Sequence, residues 1–189
     1  MFSVSAAGTL TPVGSPLSIG PAGSWLTPLA YHRRLNTVYL TSISSNTVSV
    51  TPSLSAFRLD TTSGALTPLA GSPYSTNGAT GSMFVSASGK FLIQSSSGGL
   101  QRYSIDQTTG VPTLLGDVMT LHDAGSHVFV PEISGRFLFV ANYPATGGQV
   151  TVSVYAVDSA TGAATWVTTQ PAGTALSGQL PIPIGIGLQ

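Results

Sequence analysis

Few side chains in this sequence could carry chemistry, so each can be weighed in turn. The 189 residues include three histidines, six carboxylates and six Lys or Arg, and no cysteine. Without cysteine there can be no disulfide, thiolate metal site or thiol nucleophile. An imidazole titrates near neutrality and can serve as a general base. His32, in Y-H-R-R-L-N, stands beside a turn and reads as structural. His122 and Asp123 could pair as acid and base, but adjacent loop residues seldom face one another. His127, in G-S-H-V-F-V-P, stands just ahead of an apolar strand. The sequence contains no G-x-S-x-G elbow, H-E-x-x-H, phosphate-binding Gly loop followed by Lys, or Ca²⁺ loop of alternating carboxylates.

Three of the six carboxylates belong to a repeat. Asp60-Thr-Thr-Ser-Gly64, Asp106-Gln-Thr-Thr-Gly110 and Asp158-Ser-Ala-Thr-Gly162 recur in register, each preceded by a strand and followed by a short Thr-bearing segment. A partial copy opens the chain as Gly8-Thr-Leu-Thr-Pro12. The repeated Asp could suggest carboxylate ligands. An Asx turn explains it better: the side chain accepts a backbone N–H two residues on, and Gly supplies the positive φ that closes the loop. The spacing is 46 residues from Gly64 to Gly110 and 52 from Gly110 to Gly162. Repeats of that length built from short strands predict an all-β fold, a β-propeller, with four strands per blade.

The units are expected near 8–64, 64–110 and 110–162, with a partial unit over 162–189, all in one propeller segment spanning 1–189. Their four-stranded sheets centre near 26–70, 82–118 and 127–168. Phe57, Tyr103 and Tyr155 share a register on the third strand of each unit, as do Leu59, Ile105 and Val157, and period 2 places each set on one face as core between blades. Extra residues are expected around Ser44–Ser53 and in the hairpin Asn142–Gly148. The tail 171–189 loses the pattern and reads as one further strand at the edge of the array. Three full units with partial ones at each end imply an incomplete ring, with two uncovered blade faces and hence self-association or poor solubility; the alternative is a closed four-bladed ring in which 171–189 add inner strands to the blade begun by 2–16.

Composition supports a folded chain: 42% of residues are hydrophobic and only 6% are charged. The formal net charge is zero and there is no basic run, which argues against a nucleic-acid or anionic-membrane surface. No apolar stretch approaches the roughly 18–20 residues of a membrane helix. The start lacks the basic and apolar regions of a signal peptide. The compartment is left open, with a periplasmic or extracellular one among the readings.

The stretches S-A-F-R-L-D-T-T-S-G-A-L-T-P-L-A-G-S-P-Y (55–74), S-G-R-F-L-F-V-A-N-Y (134–143) and S-V-Y-A-V-D-S-A-T-G (153–162) resemble the lactonase-type seven-bladed β-propellers. That family includes 6-phosphogluconolactonase and carboxymuconate cyclase and grades into bacterial surface proteins with YVTN-type repeats. The resemblance covers roughly residues 8 to 168. It implies lactone opening without a metal or other cofactor, by His, Glu and Arg side chains in a central cleft, with a small sugar-acid or lactone as ligand and further blades as partners. On this resemblance His127, Glu132 and Arg136 are the candidate catalytic residues, with Arg102 as an alternative cation. Counting ungapped from Gly135 aligns His127 with Gly81, whereas matching V-F-V to M-F-V aligns it with Ser82. The two choices place His127 on opposite faces of its strand.

Two functions remain in view: a metal-independent hydrolase of a sugar-acid lactone, and a non-catalytic repeat module that only binds. The shortage of ionisable groups favours the second, since hydrolysis needs a base and donors for the developing oxyanion. The all-β reading predicts a circular dichroism spectrum of strand and turn, and a substantial helical signal would overturn it.

Overall fold

The structure is a computed structural model that describes residues 2–14, 17, 19, 25–45, 50–78, 81–96, 99–119, 121, 126–132, 134–143 and 148–175. The described residues form strands and turns, with no helix. A two-stranded ribbon, β1 (Phe2–Val4) and β2 (Leu10–Pro12), comes first. The first four-stranded sheet holds β3 (Trp25–His32), β4 (Thr37–Ser45), β5 (Val50–Leu59) and β6 (Leu66–Pro68). A short β7 (Tyr74–Ser75), not foreseen from the sequence, pairs with the far part of β5. The second sheet holds β8 (Met83–Val85), β9 (Phe91–Ser96), β10 (Gly99–Ile105) and β11 (Pro112–Met119). The third holds β12 (Ser126–Pro131), β13 (Phe137–Tyr143), β14 (Gly148–Val157) and β15 (Ala164–Ala175).

Within each sheet the four strands form an antiparallel meander. The turn joining strands one and two and the turn joining strands three and four therefore lie at the same end. The connection between strands two and three lies at the other. The first strands β3 and β8 pack together, so consecutive sheets stack like propeller blades.

Strand alternation builds the core between sheets. Leu92, Tyr103 and Ile105 of the second sheet pack on Ala30, Tyr39, Leu54 and Ala56 of the first. Neighbouring residues Phe91, Ile93 and Leu100 point the other way, onto Phe129, Leu138, Val140 and Tyr155 of the third. One sheet thus supplies two apolar faces, which is why its strands read as continuous apolar runs. Tyr103 and Tyr155 lie between sheets as their register predicts, and Phe57 in the first sheet is also buried.

The repeated turns form as Asx turns. The Oδ1 atoms of Asp60, Asp106 and Asp158 accept the N–H groups two and three residues on, at 2.7–3.1 Å. The closing glycines Gly64, Gly110 and Gly162 have φ of 72°, 79° and 70°. Packing adds a second constraint. A Cβ on Gly110 would fall 2.8 Å from the Thr37 hydroxyl, and one on Gly162 would fall 2.6 Å from the Phe91 ring. Both contacts come from the second strand of the preceding sheet.

Two features differ from the sequence reading. The extra residues near Ser44–Ser53 mostly lengthen β4 and β5 rather than forming a separate loop, with 46–49 outside the described residues. Residues 171–175 continue β15 instead of starting a new strand, and 176–189 lie outside the described residues. Pro171 is tolerated there because β15 is an edge strand and the register shifts beside it, between Val150 and Thr151 of the partner.

Gly162→Ala should destabilise by about 2–4 kcal/mol, combining left-handed strain with overpacking against Phe91. Gly8 has a similar φ of 80°, but a Cβ added there would meet nothing within 4 Å, so Gly8→Ala should cost about 1 kcal/mol or less. Urea unfolding midpoints of the two variants check the contrast, and equal losses would remove the packing argument.

Candidate functional site

The backbone geometry settles where His127 belongs in the repeat. In the second sheet Ser86 N–H donates to the Phe91 carbonyl at 2.8 Å and Gly89 N–H to the Ser86 carbonyl at 2.8 Å. In the third, Glu132 N–H donates to the Phe137 carbonyl at 2.9 Å and Gly135 N–H to the Glu132 carbonyl at 2.8 Å. The turns correspond residue for residue with the ungapped offset, so position 127 matches Gly81. A Cβ on Gly81 would meet the Ser95 hydroxyl at 1.8 Å, so a side chain at that position would require Ser95 to move aside.

His127 is the second residue of β12, and its backbone pairs with Asn142. Asn142 is buried, and its Nδ2 donates to the hydroxyls of Thr151 and Ser153, each at 3.0 Å. The Ser153 and Thr169 hydroxyls are 2.8 Å apart. The second sheet has a comparable uncharged network at the same end. Gln94 Nε2 donates to the Thr41 hydroxyl at 2.7 Å, Gln101 Nε2 to the Asn77 carbonyl at 2.7 Å, and the Tyr103 hydroxyl to Gln101 Oε1 at 3.1 Å. Burial pushes the Tyr103 phenol up to about 12, so this hydroxyl stays protonated and acts as a donor.

Glu132 and Arg136 lie at the opposite end of β12. Five residues of extended chain separate Glu132 from His127, roughly 16 Å. The Glu132 carboxylate is satisfied within its own turn: Oε1 accepts the Ser134 N–H at 2.8 Å, and Oε2 accepts the Ser134 hydroxyl. These Ser134 bonds, the hydroxyl's first, hold the carboxyl below its usual range, with Arg136 a minor contributor. Arg136 is exposed, its guanidinium carbon 5.5 Å from the Phe137 ring centroid. Arg102 donates to the Thr161 carbonyl at 2.7 Å, bracing the second sheet against the turn of the third. The structure therefore does not bring Glu132, Arg136 or Arg102 together with His127, because antiparallel connectivity sends alternate turns to opposite ends.

His32 is a packing residue, as its turn position suggests. Its Nδ1 accepts the Leu35 N–H at 3.2 Å and its Nε2 donates to the Gly89 carbonyl at 2.9 Å. Those two bonds require the neutral Nε2–H tautomer, and the ring is buried. His122 and Asp123 lie outside the described residues.

Sequence reasoning missed the Arg58 and Arg102 struts. Arg58 donates to the Thr109 carbonyl at 2.7 Å and also to the Leu35 carbonyl. Thr109 and Thr161 precede the turn glycines of successive repeats, so the two arginines grip equivalent carbonyls from neighbouring sheets. Both lie on the third strand facing the following sheet, a signal that could have found them.

Stacked four-stranded meanders with Asp-to-Gly turns define a β-propeller segment. Residues 37–179 match the family described as lactonase, 7-bladed β-propeller, and the chain belongs to that family. Its fold is similar to that of a candidate 6-phosphogluconolactonase from Bacteroides uniformis, with a TM-score of 0.65 at 18% identity over 91% of this chain and 51% of that one. A protein from Lactobacillus plantarum gives 0.62 at 20% identity over 89% of this chain and 49% of that one. A candidate 6-phosphogluconolactonase from Bacteroides fragilis gives 0.53 at 18% identity over 91% and 64%. The chain thus spans about half to two thirds of the length of these structures. No curated protein sequence matches it significantly. Among the described residues no helix is long and apolar enough to cross a membrane.

The turn carboxylates make stability depend on acid. Hydrogen bonds lower the pKa of Asp60 (first from the Ser63 side chain), Asp106 (first from the Thr109 N–H) and Asp158 (first from the Thr161 N–H). A depressed folded pKa gives stability that is present above the unfolded value of about 3.9, and lost as pH falls through the folded values. Urea midpoints of the wild type should decline below about pH 4, and more steeply than those of Asp106→Asn, which keeps an acceptor but cannot titrate. Parallel profiles would mean that this turn does not contribute.

Proposed function

We propose that this chain is a lactone-binding segment of a metal-independent lactonase that opens a sugar-acid lactone by addition of water. The supporting observation is the lactonase-family match over residues 37–179, a stretch that takes in most of the three stacked sheets. The similarity to candidate 6-phosphogluconolactonases agrees with it but speaks to fold alone.

In this reading His127 is the general base. A neutral imidazole removes a proton from water as the water oxygen adds to the lactone carbonyl, and the ring oxygen leaves as the new hydroxyl once protonated. Glu132 and Arg136 take no part. Glu132 is a depressed carboxylate bound to Ser134, a poor base, and both residues belong to the opposite end of the sheet. Donors for the carbonyl oxygen would come from the uncharged side chains and backbone N–H groups at the His127 end or from further blades.

The second reading, a module that binds the lactone or its acid without turnover, draws support from the same commitments. Asp60, Asp106, Asp158 and Glu132 all hold their own turns, so four of the six carboxylates are tied to structure.

Hydrolysis of 6-phosphogluconolactone, followed by proton release at neutral pH against spontaneous opening, separates the readings. The catalytic reading expects His127→Ala to lose about 10²-fold or more, with Glu132→Gln within about twofold of wild type. Saturable binding of the ring-opened acid without turnover would favour the module. Neither turnover nor binding would sink both.

A further inference from the structure

The few charges are distributed unevenly along the strands. All six Lys and Arg serve the end that carries the turns between strands one and two and between strands three and four. Arg33 and Arg34 occupy the β3–β4 turn, Lys90 the β8–β9 turn and Arg136 the β12–β13 turn, while Arg58 and Arg102 reach the Asp turns. On that face, cations in the first-to-second-strand turns alternate with carboxylates in the third-to-fourth-strand turns.

A cleft of about 320 Å³ opens between the first two of these cationic turns, lined by Tyr31–Arg34 and by Val85–Gly89. Its volume is in the range of small-molecule sites. No carboxylate lines it. The nearest acid in sequence, Asp106, accepts the N–H groups of Thr108 and Thr109 and the Thr109 hydroxyl, so its charge is directed into its own turn.

Arg34 is held in place by a neutral partner. Its Nη2 donates to Gln107 Oε1, and Gln107 Nε2 in turn donates to the carbonyls of Gly89 and Ile105, both at 2.9 Å. The guanidinium is thus positioned without being neutralised, and it remains exposed. Arg33 is also exposed on the same cleft wall. On the opposite wall the Ser86 and Ser88 hydroxyls are 3.1 Å apart. Ser86 Oγ also accepts the Phe91 N–H, and Ser88 Oγ the Lys90 N–H. If Ser86 donates to Ser88, the Ser88 proton is left to donate into the cleft.

We propose that this cleft is an anion site for a small phosphate-bearing molecule, held by Arg33, Arg34 and the Ser88 hydroxyl. Two guanidinium forks and a hydroxyl approaching from different walls suit a tetrahedral oxyanion with several acceptor oxygens. The equivalent cleft between the second and third sheets, about 290 Å³, has one arginine, Arg136, and the Glu132 carboxylate interacts with it. That neighbouring negative charge makes it the weaker site. The phosphate site stands independently of the lactonase reading, since it lies at the far end of the strands from His127.

Titration of the 189-residue chain with inorganic phosphate at about 0.15 M ionic strength, by calorimetry or amide chemical shifts, tests this. The expected result is saturable one-to-one binding, weakened about tenfold by Arg33→Ala and by Arg34→Ala, since charge-assisted hydrogen bonds are the strong ones. Arg34→Lys should not restore affinity, because a point charge cannot reproduce the fork held by Gln107. Lys90→Ala, which changes the charge beside the cleft without lining it, should change affinity by about twofold or less. Arg33 makes the informative variant if Arg34→Ala loosens the sheets, and its circular dichroism spectrum should match the wild type. Glucose 6-phosphate binding while gluconate does not would identify a phosphomonoester source, and binding of inorganic phosphate alone would identify the free ion. Absence of saturation, equal weakening by Lys90→Ala, or gluconate binding as tightly as phosphate would each overturn the proposal.

Discussion

The structure depends on the close approach between each Asp-to-Gly turn and the sheet before it. At Gly110 and Gly162 the preceding sheet occupies the space a Cβ would need, with Thr37 in one case and Phe91 in the other. The same turns present their carbonyls backward. Gly110 accepts the buried Tyr39 hydroxyl at 2.6 Å, while Thr109 and Thr161 accept Arg58 and Arg102. The Asp side chain matters because its bonds to the turn N–H groups hold these carbonyls in a fixed direction. A turn that looks like a local device is therefore an interface between blades, and its conformational and steric demands fall on the same glycine.

The alternation within strands follows from that stacking. In the third sheet Leu138, Val140, Ser153 and Tyr155 face the second sheet and are almost fully buried. The row between them, including Phe139 and Val154, faces the other way and is half-buried. That outer row resembles the face of the second sheet, Phe91 and Ile93, which the third sheet covers. Buried amides within the stack make side-chain hydrogen bonds, as with Gln94 Nε2 to Thr41 and Asn142 Nδ2 to Ser153, because losing such a bond in the interior is costly.

The fold was legible because its defining signal is local and repeated. Asp, Gly and a strand register can be read in a few residues and confirmed at two further places. What lies between repeats was harder to see. Nothing about Arg58 or Arg102 alone indicates that each grips a carbonyl some fifty or more positions away in sequence. His127 was ambiguous by one residue, and on a strand one residue reverses the face. The shared backbone bonds of the Ser86 and Glu132 turns remove that ambiguity, and only three-dimensional pairing could supply them. The grouping of His127, Glu132 and Arg136 came from the family resemblance, but a strand running between two turns separates its own ends.

That separation gives the two ends of the sheets different chemistry. The Asp-turn end holds the arginines, the lysine and four of the six carboxylates, arranged so that most acids are consumed by their own turns. The exposed cations there are consequently less neutralised than a net charge of zero suggests. The opposite end, among its described residues, carries buried amides and hydroxyls that bond to one another. Neutral hydrogen-bond donors suit an uncharged group, whereas fixed guanidinium groups suit an anion that arrives already charged. One repeating sheet can host both environments because an antiparallel strand delivers its two ends to opposite surfaces.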